Sequence, residues 1–293
     1  MPIADTRAML LEACRGGYAV GAFNVTGLVQ MEAAVEAAAE LRAPLIVQIS
    51  EKTARFHNAA VLAAAFRALA AGAPVPLGLH LDHCRDAAYC RRCAEAGFTS
   101  VMIDASALSL EENIRATRSV SDFCRGRGPI AVEGELGTVA GVEDDIAVAA
   151  GGAELCDPAQ AERFVAESGV DLFAPAIGTA HGVYRTADPA VDVARFAEIA
   201  RRINRPRPRV PLVVHGGTGL PPSTVRRLVA AGAAKFNVST DFKHALVDAT
   251  FDYIAAHRGE FEPGKIDAAV KAATAARMRR WIELLGGAGK AGA

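Results

Sequence analysis

Pro76-Leu77-Gly78-Leu79-His80-Leu81-Asp82-His83-Cys84 opens apolar and closes on a carboxylate beside an imidazole, and Arg85–Ala96 behind it has a helical period. Apolar residues would suit packing at the end of a buried strand, and turn residues would suit its exit. The stretch therefore reads as a strand that delivers Asp82 and His83 to a site, followed by the helix that returns the chain.

The same unit recurs outward in both directions. Strands are expected at Ala19–Asn24, Leu45–Ser50, Leu77–Asp82, Ser100–Asp104, Ile130–Glu135, Asp171–Ile177, Pro211–His215 and Ala233–Val238. Helices are expected near Leu28–Leu41, Asn58–Ala71, Arg85–Ala96, Leu110–Arg125, Pro158–Ser168, Ala190–Ile203, Pro222–Ala231 and Thr240–His257, with a last one near Ala268–Leu285. Strict alternation of this kind calls for a parallel sheet in the α/β class. Eight units in 293 residues point to a single (β/α)8 TIM barrel over residues 1–293, with an extra C-terminal helix. A doubly wound open sheet is the alternative, but the first strand lacks a G-x-G-x-x-G turn.

The strand ends test the barrel independently, because such barrels carry chemistry at their C-terminal rim. In chain order the strands finish on Asn24, Ser50, Asp82/His83, Asp104, Glu133/Glu135, Gly178–His181, His215 and Asn237. Every exit is polar or glycine-rich. The segment after the fifth strand, about 137–156, reads as roughly twenty residues without structure, a length that usually marks a functional lid. It carries Gly137, Gly141, Gly151 and Gly152 around the acidic tip Glu143-Asp144-Asp145.

Composition narrows the classes of function. At 51% hydrophobic residues the chain can bury a large core. A net charge of −1 leaves no basic field for nucleic acid. Arg205-Pro206-Arg207-Pro208-Arg209 alternates charge with proline, has no interleaved aromatics, and reads as a solvated loop. Met1–Asp5 has no signal pattern, and the Ala-rich run Ala59–Ala73 is broken by Arg67, so no membrane partner is expected and the location is expected to be cytoplasmic. Six scattered cysteines are no disulfide framework, and Cys90-Arg91-Arg92-Cys93 lies in a helix without a second pair.

His83, His181 and His215 fall at the ends of the third, sixth and seventh strands. Singly, each could be a structural histidine. Together at one rim, three neutral imidazoles suit a catalytic zinc site with an open position. His80 shares a face with Asp82 and is a candidate for orienting a ligand. Asp104 and Glu135 point to the same volume, either to hold histidines or lysines in place or to form a second, buried metal position. Gly216-Gly217-Thr218-Gly219 and Asn237-Val238-Ser239-Thr240-Asp241 follow strands seven and eight, where such barrels frequently seat phosphate, and Gly178-Thr179-Ala180-His181-Gly182 adds a third glycine-rich turn. A divalent ion beside a phosphate-bearing carbonyl compound suits enolate chemistry.

Several motifs in this order resemble the class II, zinc-dependent ketose-bisphosphate aldolases, which include fructose- and tagatose-bisphosphate aldolases. They are H-L-D-H (His80–His83), M-I-D-A-S (Met102–Ser106), V-E-G-E-L-G (Val132–Gly137), G-V-E-D-D (Gly141–Asp145), I-G-T-A-H-G (Ile177–Gly182), V-H-G-G-T-G (Val214–Gly219) and K-F-N-V-S-T (Lys235–Thr240). The resemblance runs from about Ala22 to Ala291. It implies a reversible retro-aldol cleavage of a ketose bisphosphate to dihydroxyacetone phosphate and an aldehyde. It implies a zinc ion on His83, His181 and His215, with Asp104 and Glu135 matching the alternative metal position. Asp82 is then the acid–base group at the C4 hydroxyl, and Glu143 on the lid exchanges the proton on the dihydroxyacetone-phosphate carbon. Gly182, Gly216, Thr218, Asn237, Ser239 and Thr240 match the pocket for that product, Asn24 joins the substrate-binding set, and Ser50 matches the distal-phosphate pattern. A sodium or potassium ion on backbone oxygens of Ala180, Gly182, Gly216 and Thr218, and a homodimer or homotetramer, are also implied.

Two positions depart from the pattern. Arg185 stands where bisphosphate-cleaving members carry Lys, and Gly264 stands where an Arg reaches the neighbouring subunit's substrate. Arginine holds a phosphate well, whereas glycine cannot, so the aldehyde partner is left open between phosphorylated and plain. Three rivals remain on the residues alone. One is a Schiff-base aldolase with Lys235 as nucleophile. Another is a metal-dependent hydrolase or isomerase, which would not need the glycine-rich turns. The third is an accessory subunit without catalysis, which would be expected to lose ligands that this chain keeps.

Overall fold

The computed structural model describes residues 3–143, 146–148, 154–184, 186–204 and 210–292. Eight parallel strands close into a barrel: β1 (Val20–Asn24), β2 (Leu45–Ser50), β3 (Leu77–Cys84), β4 (Ser100–Ile103), β5 (Ala131–Leu136), β8 (Leu172–Pro175), β10 (Leu212–Val214) and β11 (Ala233–Val238), with β1 paired to both β2 and β11. The expected helices stand between them: α2 (Leu28–Glu40), α4 (Ala59–Ala71), α5 (Ala87–Ala96), α6 (Leu110–Arg125), α7 (Pro158–Ser168), α8 (Val193–Ile203), α9 (Pro222–Ala230) and α10 (Thr240–Ala256). Local chemistry starts several of them. Asp86 and Asp157 each accept two backbone N–H groups as N-caps, and Ser109 with Glu112 forms a capping box.

Alternation along the strands stacks the barrel interior in tiers. At the lower end Val20, Ile46, Ala131, Leu172 and Val213 share an apolar cluster with Met9, Leu10 and Ala13 of α1 (Thr6–Gly16), which plugs the barrel bottom. Two residues further up, the inward positions turn polar: Gln48, His80, Glu133 and Lys235 are all fully buried. A further step brings Asn24, Asp82, Glu135, His215 and Asn237 to the rim. The outer faces of the strands pack under the helices through residues such as Phe23, Val47, Leu79 and Phe236.

Three features depart from the sequence reading. Two helices were not expected: α1, capped by Asp5, and α3 (Glu51–His57), capped by Ser50. The last helix, α11, starts earlier, at Pro263, and packs its Pro263–Leu284 length along α2 and α10. The segment after β5 is not structureless. It folds back as an antiparallel hairpin, β6 (Ala140–Glu143) and β7 (Ile146–Val148), and β6 pairs in parallel with β9 (Ala180–His181). Among the described residues no helix is long and apolar enough to cross a membrane.

Candidate active site

β3 ends irregularly, and the irregularity builds the site. Its register against β4 shifts between Leu81 and Cys84, and His83 has φ +44°, a region an L-residue with a side chain rarely enters. In a regular strand Asp82 and His83 would face opposite sides. The bulge turns both toward the rim, with His83 Nε2 4.0 Å from Asp82 Oδ1. His181 arrives on β9 and His215 directly after β10. One ring nitrogen from each of the three lies within 4.8 Å of the others.

Carboxylates fix how two of these rings point. Asp104 Oδ2 is 2.9 Å from His83 Nδ1, and Glu133 Oε1 is 2.8 Å from His215 Nε2. Each carboxylate accepts one ring N–H, which leaves His83 Nε2 and His215 Nδ1 facing inward, 2.9 Å apart. Two imidazole lone pairs at that separation repel unless a positive charge lies between or beside them. The surroundings favour such a charge. Burial opposes an imidazolium at His215, but hydrogen bonds to Glu133 and Glu135 outweigh it and lift its pKa to about 9. At His83 burial is likewise outweighed, by the charge of Asp82 and the bond to Asp104. Three nitrogen donors with carboxylates behind two of them are the donor set of a zinc ion. No second group of three or more such ligands occurs among the described residues. Asp104 and Glu135 touch imidazoles instead: Glu135 Oε2 is 3.2 Å from His215 Nδ1.

Asp82 sits between two amides. Asn24 Nδ2 donates to Oδ2 at 2.9 Å and Asn237 Nδ2 to Oδ1 at 3.3 Å. Behind them Gln48 Nε2 donates to Asn24 Oδ1 at 2.8 Å, and Lys235 Nζ to Asn237 Oδ1 at 2.8 Å. Beside this carboxylate lies a small cavity lined by His181, Gly182, Gly216, Gly217, Thr218, Asn237, Ser239 and Thr240. It opens on the N-terminus of the 17-residue α10, whose N-cap Ser239 makes no side-chain cap bond, and the buried Ser239 Oγ has no hydrogen-bond partner among the described residues. Unused donors at a helix start are what an anion takes. Gly216 (φ +69°) admits no side chain there, because a Cβ would stand 2.4 Å from Ala180 O.

Comparison with known proteins identifies the family of the chain. The family model described as "Fructose-bisphosphate aldolase class-II" matches residues 4–290. The chain belongs to the class-II fructose-bisphosphate aldolase family. It is 41% identical over 286 residues to the D-tagatose-1,6-bisphosphate aldolase subunit GatY of Klebsiella oxytoca, covering 98% of both chains. Its fold matches the YdjI aldolase of Escherichia coli K12 with a TM-score of 0.85, at 28% identity over 99% of each chain. A structure from Coccidioides immitis, assigned to fructose-1,6-bisphosphate aldolase, matches with a TM-score of 0.87, at 28% identity over 97% of each chain.

The class-II aldolase thus brings His83, His181, His215, Asp82, Asn24, Asp104, Glu135 and the residues of the glycine-rich turns to one rim. Ser50 stands beside Asp82 in the sheet register, where it also caps α3. Arg185 and the side chain of Glu143 lie outside the described residues. Reading the sequence missed Gln48 as the support for Asn24. It also missed Tyr184, whose O–H donates to Gly216 O at 2.7 Å while accepting from Ala180 N–H at 2.9 Å, so that one phenol ties two rim loops together. Glu133 and Lys235 were visible as strand residues, but not their 2.9 Å ion pair across the barrel. That pair also speaks against the Schiff-base rival: the amine is fully buried and already holds Glu133 and Asn237.

Proposed function

We propose that this aldolase catalyses reversible retro-aldol cleavage of a ketose 1,6-bisphosphate, fructose or tagatose 1,6-bisphosphate, to dihydroxyacetone phosphate and a three-carbon aldehyde. The observation that carries the reading is the cluster of three imidazoles next to a buried carboxylate and an anion seat. His83, His181 and His215 would hold the zinc ion, which when bound supplies Lewis-acid polarisation of the substrate's carbonyl and hydroxyl oxygens.

The chain's own groups do the rest. The phosphate on C1 sits at the start of α10, held by the Gly216–Thr218 turn, Ser239 and Thr240, with Gly182 leaving room. Asp82 Oδ takes the proton from the C4 hydroxyl, the C3–C4 bond breaks, and the C4 carbonyl forms. Asn24 and Asn237 keep that carboxylate aimed through its two oxygens. Glu143 at the end of β6 gives a proton to C3, completing dihydroxyacetone phosphate, and the hairpin excludes water from the site. Asp104, Glu133 and Glu135 fix the imidazole orientations. A sodium or potassium ion on the backbone oxygens of Ala180, Gly182, Gly216 and Thr218 would further brace the phosphate turn.

At the aldehyde end Ser50 and Arg185 are the residues assigned to a second phosphate. Gly264 at the start of α11 favours a second reading, in which the aldehyde is unphosphorylated. Exposed Val247, Phe251 and Ile254 on one face of α10 offer a surface for a homodimer, which light scattering on the purified protein measures directly. Cleavage assays with both ketose bisphosphates, before and after chelation and zinc return, test the function. Condensation of dihydroxyacetone phosphate with phosphorylated and plain aldehydes completes the set. Turnover that persists in chelator overturns the metal reading, and condensation only with plain aldehydes overturns the bisphosphate assignment. Turnover seen only with a second protein, and unchanged when this chain carries Asp82→Asn, would make it a non-catalytic accessory subunit.

A further inference from the structure

We propose that Lys235 is a positioning residue, a single buried ammonium that sets the orientation of both working halves of the site. The proposal rests on the assignment of His215 to the metal and of Asp82 to the acid–base step. Its observation is separate. Lys235 Nζ lies 2.9 Å from Glu133 Oε2 and 2.8 Å from Asn237 Oδ1, with no exposure of the lysine or the glutamate.

The two contacts lead in different directions. Glu133 uses its other oxygen, Oε1, to accept the Nε2–H of His215 at 2.8 Å. That bond decides that Nδ1 is the nitrogen facing His83 Nε2. Without a cation beside it, a carboxylate in this fully buried place would not remain a fixed acceptor. On the other side, an ammonium can only donate, so the amide oxygen of Asn237 must face it. The amide nitrogen then faces Asp82, and its N–H reaches Oδ1 at 3.3 Å. The orientation of Asn237, which an amide alone would not fix, is dictated by the charge behind it. β11 and β5 are not neighbours in the sheet, so the amine spans the barrel interior. The ligand and the acid–base group therefore share one anchor.

His80 completes the enclosure without replacing the lysine. Its Nδ1 is 2.6 Å from Ser100 Oγ, and its Nε2 stands 3.6 Å from Glu133 Oε2, beyond a good hydrogen bond. Burial and the charge of Lys235 keep it neutral.

The test uses the full chain with Lys235→Met and the double variant Lys235→Met/Glu133→Gln. Methionine keeps the volume and removes the charge. Glutamine removes the unpaired carboxylate while its Oε1 still accepts from His215. Lys235→Met is expected to lower the melting temperature and to change the visible ligand-field bands of the cobalt-loaded protein. The double variant is expected to regain the melting temperature and the parent's cobalt spectrum, because the buried charge is gone. Its kcat is expected to stay down by about 10- to 100-fold with KM within about threefold, because Asn237 has lost its anchor. A double variant with the parent's kcat, or a Lys235→Met protein with unchanged cobalt bands, overturns the positioning role while leaving the aldolase reading intact. A parent protein that binds no divalent ion overturns both.

Discussion

Asp82 is buried, close to three imidazoles, and still held as an acceptor by two amides. Replacing it with asparagine keeps the shape but removes the proton acceptor. Asp82→Asn should lower kcat by about 100- to 10,000-fold, with unchanged circular dichroism and zinc content, measured by steady-state cleavage and metal analysis. Glu133 and Asp104 make a prediction about pH. Burial works against their ionisation, yet the charge of Lys235 on Glu133 and the His83 bond on Asp104 hold both carboxyls well below the usual carboxylate range. A carboxyl depressed in the folded state contributes stability that is complete above its unfolded pKa and is lost as pH falls toward the folded value. Urea midpoints should therefore drop as pH falls below about 4.5, the ordinary glutamate value, and Glu133→Gln should flatten that decline. At this scale the sequence was informative where chemistry sat at strand ends. His83, His181, His215 and Asp82 announce themselves as polar stops on apolar runs. Gln48 and Lys235 do not, and Glu133, though visible at a strand end, takes its meaning like them from partners across the barrel that no spacing along the chain reveals.

Elements were legible in proportion to their length and periodicity. All eight barrel strands and their eight helices could be placed from alternation. The seven-residue α3 is too short to show a helical stripe, and α1 spends its apolar residues on plugging the barrel bottom rather than on the outer ring. The hairpin was hidden for a different reason. Glycines and acids over 137–156 signal a loop, and β6 becomes a strand only through its pairing, in parallel with β9 at Ala140–Ala180 and Gly141–His181 and antiparallel with β7. Gly141 (φ +102°) lies so close to β9 that a Cβ would stand 2.2 Å from His181 O. Gly141→Ala should therefore displace either the hairpin or the imidazole, and a displacement on the order of 1 Å costs about 100-fold in rate. Cleavage kinetics should fall while the melting temperature stays near the parent's, since the barrel is not touched.

For the molecule as a whole, the three imidazoles bring the ends of β3, β9 and β10 together, so an ion held there fastens distant parts of one chain. A ligand present at a thousandfold over its Kd adds about 4 kcal/mol to the folded state, which for a chain of this size raises the melting temperature by about 8 °C. Calorimetry with zinc and with excess chelator should show that difference, and Tm values that coincide would separate the imidazole cluster from any metal. The tiered interior has a further consequence for how such a chain can change over generations. The apolar lower third and its plug by α1 hold the barrel together without reaching the rim, so substitutions there can raise heat tolerance and leave turnover alone. The rim can acquire new specificities while relying on that foundation. Between them lies the fully buried layer of Gln48, His80, Glu133 and Lys235, where neither freedom applies, and an engineer seeking a tougher or a differently selective catalyst should leave those four letters untouched.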